Sequence, residues 1–123
     1  MDTQSIVTYK SAFDAIMHEI MADDGSQMEV WYARELQQVC GYARWENFQV
    51  AINRAKDSCN SQNISIDDHF RDVTKTIPMP KGAQKEIKDV LLTRYACYLI
   101  AQNGDPKKEE IAFAQSYFAV QTR

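Results

Sequence analysis

The residues with the clearest catalytic potential are Glu86 and Lys88, which enclose Ile87, together with Asp72 upstream. Metal-dependent nucleases of the restriction type place an Asp and a Glu-x-Lys triplet around Mg²⁺; the carboxylates hold the ion and the lysine assists the attacking water. Glu86 and Lys88 would share one face of a strand, because alternate residues do. Asp72, however, precedes a different candidate strand, and the triplet is common by chance in lysine-rich chains. We therefore expect no enzyme and keep a magnesium-dependent nuclease as a remote alternative.

The other side chains with metal-binding or nucleophilic potential lack partners in the sequence. Residues 67–69 read Asp-Asp-His, but adjacent positions rarely face one ion, so a capped turn is expected. Cys40, Cys59 and Cys97 are odd in number and widely spaced on apolar faces, which predicts buried reduced thiols. The chain has no glycine-rich phosphate loop and no C-x-x-C pair. We therefore expect neither a metal nor a cofactor.

Basic residues are concentrated in one part of an acidic chain. The net charge is −3, yet residues 1–70 carry eleven acids and five bases, whereas residues 71–108 carry eight bases and four acids. A basic segment of this kind can mark a face that meets phosphates or an acidic protein surface. An ordinary solvated hairpin, whose lysines protect a sheet edge, produces the same pattern.

If this face binds nucleic acid, its lysines would meet phosphates and its glutamine could reach a base edge or the backbone. The candidate nucleic-acid-binding residues are Arg44, Arg54, Lys75, Lys81, Gln84, Lys85 and Lys88. The expected affinity is low because the domain as a whole is acidic.

A dense aromatic cluster precedes the basic segment. It consists of Trp31, Tyr32, Tyr42, Trp45 and Phe48, interleaved with Arg34 and Arg44. Aromatic rings among arginines can stack bases. We favour a core role for most of the cluster, with Tyr32, Arg34 and Arg44 as its exposed members.

Hydrophobic periodicity predicts one α+β domain over residues 1–123, in which about five helices pack on a small antiparallel sheet of about three strands. Helices are expected at residues 9–21, 33–39 and 45–59 and in two terminal segments, and strands at residues 28–32, 73–78 and 87–92. Residues 1–7 are expected to fray, and Gly41 to end the second helix. The chain has no apolar run of about 20 residues and no signal pattern, which predicts a cytoplasmic protein without membrane contact.

The last third of the chain reads as two apolar helices joined by a tight corner. Gly104 is expected to be left-handed, Asp105 to cap the second helix and Pro106 to occupy its first position. The apolar residues of the second helix span more than one buried stripe. We therefore expect a partner interface that includes Phe113, Tyr117 and Val120.

The sequence also ends without a helix stop signal, which predicts that it is the N-terminal part of a longer protein. The expected interface would then hold either the C-terminal region of that protein or a second copy in a homodimer.

Two stretches carry a family resemblance. Residues 31–48, WYARELQQVCGYARWENF, and residues 94–123, RYACYLIAQNGDPKKEEIAFAQSYFAVQTR, resemble the N-terminal domain of the bacterial DNA-damage-inducible protein D (DinD) family. GAQKEI, at residues 82–87, belongs to the same pattern, and the resemblance covers roughly residues 8–123. More distantly, the chain is similar to BRO-N, a domain of phage antirepressors and baculovirus proteins. Cys40 stands where that domain has the leucine of its L-G-Y element.

The resemblance implies a function that composition and periodicity do not show. DinD-like proteins belong to the SOS response and are associated with the recombinase RecA, and BRO-N domains are associated with DNA binding. It therefore implies a non-enzymatic regulatory module that binds nucleoprotein, meaning single- or double-stranded DNA, a RecA filament on DNA, or both. The alternative is a protein-interaction or dimerisation domain without DNA contact.

Overall fold

The computed structural model describes residues 1–121 of this chain, and the side chains of residues 1–119. The helices are α1 Thr3–Ala15, α2 Ala33–Val39, α3 Trp45–Ser61, α4 Arg94–Gln102 and α5 Glu109–Gln121. The strands are β1 His18–Met21, β2 Gln27–Tyr32, β3 Phe70–Pro78 and β4 Gln84–Thr93, with short 3₁₀ turns at Ile66–Asp68 and Pro80–Gly82. The predicted α+β class with about five helices is confirmed, and the sheet has four strands rather than three.

The additional strand lies where a longer first helix was predicted. Helix α1 begins at Thr3, where Asp2 Oδ1 accepts the backbone N–H of Ser5 at 2.8 Å, and it ends at Ala15. Residues 18–21 instead pair antiparallel with residues 27–30. The prediction of a helix over residues 9–21 was therefore wrong at both ends. A short apolar run fits helix and strand equally well, and here pairing with β2 decided between them.

The sheet is antiparallel throughout, in the order β1-β2-β4-β3. Strand β4 pairs with β3 from Leu92 out to Gln84, but with β2 only at residues 91–93. The outer parts of β3 and β4 consequently have no third strand beside them. Residues 73–89 form a two-stranded ribbon that extends beyond the central sheet.

One hydrophobic core lies between the sheet and the helices. Trp31 and Leu92 enter it from the sheet, and Phe13, Phe48 and Phe118 enter it from the helices; all five are fully buried. The three cysteines are buried and free, as predicted, and burial raises the pKa of the Cys40 thiol to about 12. Within residues 1–121, no helix is both long enough and apolar enough to span a bilayer.

The corner between α4 and α5 forms where it was predicted, but by a different mechanism. Asp105 Oδ1 accepts the backbone N–H of Lys107 at 3.0 Å, whereas α5 begins only at Glu109, so Pro106 does not occupy its first position. Gly104 is not left-handed. A glycine is needed there because a Cβ atom would lie 2.9 Å from Ile111 Cγ2, closer than real Cβ atoms come.

Candidate nucleic-acid interface

The two faces of the β3–β4 ribbon differ in charge. Lys75 lies opposite Ile87, and Ile77 lies opposite Lys85, so these four side chains share a face. We call this the lysine face; it carries Arg71, Val73, Lys75, Ile77, Lys85 and Ile87. Its lysines are exposed and its three aliphatic side chains are half-buried. The acid in register with it, Asp89, is buried at the base of the ribbon. The lysine face is therefore positively charged where solvent reaches it.

The opposite face mixes both signs of charge. It carries Asp72, Thr74, Thr76, Gln84, Glu86 and Lys88. Two of the predicted nucleic-acid-binding residues, Gln84 and Lys88, therefore point away from Lys75 and Lys85. The sequence placed all four in one segment, but the two-residue period of a strand separates them.

The same register bears on the nuclease alternative. Asp72 and Glu86 are four residues apart along this face, or about 13 Å at about 3.3 Å per residue. Two carboxylates at that separation cannot hold one ion. No cluster of three or more metal-binding side chains occurs in the described part of the chain. Among the described residues, Asp72, Glu86 and Lys88 form no ion pair within 4.0 Å.

The ribbon ends in a tight turn that exposes a further lysine. Lys81 has a φ of 66°, which places it in the left-handed region, and the turn closes through the Met79 N–H, which donates to the Ala83 carbonyl at 2.8 Å. Lys81 and Met79 are exposed there. Lys81 thus extends the positive charge of the lysine face to the ribbon's end.

A cleft of about 1120 Å³ separates the base of the ribbon from α3. It is lined by Arg34, Trp45, Gln49, Lys56, Asp72, Val73, Thr74, Ile87, Lys88, Asp89 and Val90. Arg44 is exposed just before α3. Arg54 lies five residues after Gln49, roughly 140° around the helix. Burial, the larger effect, raises the pKa of the Tyr42 hydroxyl, and the charge of Arg54 instead acts to lower that pKa. Arg54 therefore does not join the cleft.

Asp89 fixes the base of the ribbon against α2. Its Oδ1 accepts the backbone N–H groups of Arg34 at 3.0 Å and Val90 at 2.8 Å. Arg34 Nε in turn donates to the Lys88 carbonyl at 2.9 Å. Asp89 is not among the functional residues predicted from the sequence. The available signal was an acid within an apolar strand, near a helix whose N-cap residue, Tyr32, has no capping hydrogen bond.

The aromatic cluster divides only in part as predicted: Arg44 is exposed, but Tyr32 and Arg34, which were expected to be exposed, are half-buried. Trp31 and Phe48 are fully buried, and Tyr42 packs on Phe48 with ring centroids 5.1 Å apart. Arg34 is half-buried, with its guanidinium 4.0 Å from the centroid of the Trp45 ring. Tyr32, half-buried, packs edge-on against His18. Trp45 and Arg34 are therefore the pair from this cluster that reaches the cleft.

Two bases of the basic segment are occupied by structural contacts. Arg94 pairs with Glu29 at 2.9 Å and lies 4.8 Å from the Trp31 ring centroid. Lys108 Nζ donates to the Gly41 carbonyl at 3.0 Å and sits over the Tyr42 ring. Lys108 belongs to residues 94–123, and Gly41 and Tyr42 belong to residues 31–48. Lys108 therefore holds together the two stretches that carry the family resemblance, and this contact has a structural role.

The predicted partner interface on α5 is largely covered by α1. Phe113 packs against Tyr9 and Phe13, and Tyr117 packs against Phe13, with ring centroids 5.3–5.6 Å apart. The Tyr117 hydroxyl donates to Asp14 Oδ1 at 2.5 Å. The cover that was expected from outside the domain thus comes from its first helix. The side chain of Val120 lies outside the described residues.

Known proteins similar to this chain fall in one family. The model of the BRO family, N-terminal domain, matches residues 23–119. DNA damage-inducible protein D of Escherichia coli (strain K12) is 42% identical over 105 residues. That match covers 85% of this chain but 38% of the relative, so the chain spans less than two-fifths of the relative's length. No solved structure matches the chain significantly.

Proposed function

Since the chain belongs to the BRO family through its N-terminal domain, we propose that it is a non-enzymatic regulatory module of the SOS response that binds nucleoprotein. Its relative carries the name DNA damage-inducible protein D, which supports a role in the response to damaged DNA. The proposed targets are DNA and RecA filaments on DNA, in the bacterial cytoplasm, with the effect of modulating recombination and repair.

The lysine face of the projecting ribbon is the observation that carries this proposal. A two-stranded ribbon is narrow enough to enter the major groove of DNA. The part without a third strand, residues 73–78 and 84–89, is about 20 Å long at about 3.3 Å per residue. Lys75 and Lys85 lie on one face of it and Lys81 at its end. Phosphates on both sides of a groove could therefore contact the ribbon together.

The remaining charge keeps this binding weak. The chain carries a net charge of −3, and its acids lie mostly outside the ribbon. We expect a Kd in the non-specific range of about 10⁻⁴–10⁻⁶ M at physiological salt. Weak contact suits a module that acts on DNA already coated by another protein.

The rival function, a protein-interaction domain without DNA contact, relied on an apolar surface of α5. Helix α1 covers Phe113 and Tyr117 on α5. Through residue 119, no large apolar side chain of α5 is exposed. The exposed large apolar side chains of this part of the chain are Met1, Ile6, Val7, Met21, Val50 and Met79. A homodimer or a docked C-terminal region stays a prediction. The salt dependence of DNA affinity separates the two functions, because phosphate contacts weaken as the salt concentration rises.

Fluorescence anisotropy with labelled single- and double-stranded oligonucleotides, from low to moderate salt, tests the proposal. The variant Lys75→Gln/Lys81→Gln/Lys85→Gln should lose most of its binding to both. Lys10→Gln/Lys107→Gln removes exposed charges away from the ribbon and should bind as the parent does. Binding of RecA–DNA filaments would be measured with the same proteins. Unchanged affinity of the ribbon variant would show that the lysine face is not the site.

A further inference from the structure

The cleft between the ribbon and α3 contains a planar cation held in one orientation. The Arg34 guanidinium lies 4.0 Å from the Trp45 ring centroid, and its Nε donates to the Lys88 carbonyl. The contact with Trp45 occupies one face of the guanidinium, and the contact with Lys88 occupies its Nε nitrogen. Both Arg34 and Trp45 line the cleft. A flat ligand that enters it therefore meets a fixed π surface.

The walls of the cleft carry groups that suit a nucleotide. Lys56 and Lys88 supply positive charge, and Gln49 can donate and accept hydrogen bonds. Asp72 is the exposed acid on this wall. Its charge disfavours a phosphate beside it, so the phosphates are expected toward Lys56.

A second observation points to a ligand. Asp89 is 1% exposed, and its Oδ2 atom has no hydrogen-bond partner among the described residues. Buried carboxylate oxygens normally have one, because leaving an acceptor unpaired costs free energy. Asp89 lines the cleft, and its Oδ2 atom exposes less than 1 Å² of surface. The exocyclic amino group of a base can donate to Oδ2 only if a neighbouring side chain moves aside.

We propose that this cleft binds one unstacked base of single-stranded nucleic acid. The base stacks on the Arg34–Trp45 pair, as bases do on aromatic rings and guanidinium planes, and its amino group faces Asp89. A base within a duplex is excluded, because its faces and its pairing edge are occupied. The proposal rests on the proposed function and adds strand selectivity to it. The lysine face meets phosphates in either form, whereas the cleft accepts only an unpaired base.

Tryptophan fluorescence tests this directly, since the chain has two tryptophans and Trp31 is fully buried. A short oligodeoxycytidine should quench the emission of Trp45. A duplex, and an abasic oligonucleotide with the same phosphates, should not. Trp45→Phe keeps an aromatic ring and leaves only Trp31 to emit, so its signal should not respond while its binding persists. Equal quenching by oligothymidine, which lacks an exocyclic amino group, would overturn the role given to Asp89.

Variants separate this proposal from the proposed function. Trp45→Leu should weaken single-strand binding roughly 5- to 150-fold and leave duplex binding unchanged. Arg34→Lys keeps the charge but loses the planar surface, and should act in the same direction. Thermal unfolding of each variant confirms that it is folded. Single-strand affinity could survive both Trp45→Leu and Arg34→Lys but fall when Lys75, Lys81 and Lys85 are replaced. That result would show that the ribbon binds single-stranded DNA and that the cleft does not. If the parent binds neither form of DNA, both proposals fail.

Discussion

Asp89 caps a helix to which it does not belong: its Oδ1 atom accepts the backbone N–H of Arg34 at 3.0 Å. Helix α2 begins directly after β2, and the residue at its N-cap, Tyr32, offers no capping side chain. Strand β4 supplies the missing acceptor. The same contact sets the position of the ribbon relative to Arg34, and hence the shape of the cleft.

Removal of this cap should destabilise the domain. In Asp89→Ala the N–H groups of Arg34 and Val90 lose their acceptor, so the free energy of unfolding should fall by about 1–3 kcal/mol. Asp89→Asn keeps an acceptor oxygen at the same place and should lose less. Urea denaturation of the three proteins provides the comparison. Equal stability of the Ala and Asn variants would argue against the cap.

The two faces of the ribbon should contribute differently to the salt dependence of duplex binding. Each phosphate contact contributes about 0.9 to the slope of log K against log salt. Lys75→Gln/Lys85→Gln should therefore reduce the magnitude of that slope by up to about 1.8. Lys88→Gln, on the opposite face, should leave it unchanged. A slope that falls equally for both variants would mean that the ribbon binds without preference for a face.

A methyl group at Gly104 should lower the stability of the folded domain, although the backbone at Gly104 is not in the left-handed region. Its Cβ would lie 2.9 Å from Ile111 Cγ2, and Ile111 is fully buried and cannot move aside. Gly104→Ala should therefore lower the free energy of unfolding by about 1–3 kcal/mol through overpacking. In an Ile111→Ala background the methyl group has room, so its cost should shrink in a double-mutant cycle. Strict additivity of the two changes would place the cost elsewhere.

Alkaline pH should weaken the contact between α1 and α5. A hydrogen bond to Glu109 is the largest cause that raises the pKa of Tyr9 to about 12. Burial, followed by the hydrogen bond to Asp14, raises the pKa of Tyr117. A raised pKa means that the folded state holds the proton more tightly, so this stability is complete below pH ~10 and is lost as the pH rises through the folded values.

Melting temperatures from pH ~9 to ~12 check this expectation. Tyr9→Phe/Tyr117→Phe should show a flatter decline than the parent, because the titrating hydroxyls are gone. Tyr98→Phe is the control, since the Tyr98 hydroxyl makes no hydrogen bond within the described residues. If the double variant declines as steeply as the parent, other groups govern alkaline unfolding.

Much of the fold could be predicted because its signals are local. The β-formers before Tyr32 and the positive φ of 79° at Gly41 bracket α2 as expected. Phe48, Ile52, Ala55 and Cys59 recur at helical spacing, which predicts the helix over residues 45–59, and all four are buried in α3. Pro78, Pro80 and Gly82 lie between the strands predicted at residues 73–78 and 87–92, and such residues favour the turn of a hairpin. Each of these depends on residues a few positions apart.

The errors arose where distant residues decide the outcome. Residues 18–21 became a strand because β2 was available to pair with them. Helix α1, about a hundred residues earlier in the chain, covers part of α5 at Phe113 and Tyr117, and the apolar pattern of α5 did not indicate this contact. Neither contact leaves a local pattern in the sequence, since periodicity reports that a side chain is buried but not what buries it.

The sequence by itself determined that a basic hairpin follows an acidic, helix-rich region, together with the family to which the chain is similar. Only the tertiary structure decided which lysines share a face of the ribbon, because a shift of one residue in strand register moves every side chain to the other face. It also made Asp89 a cap and Arg34 a cleft residue. Those roles arise from contacts between residues 55 positions apart, and such contacts exist only once the chain has folded.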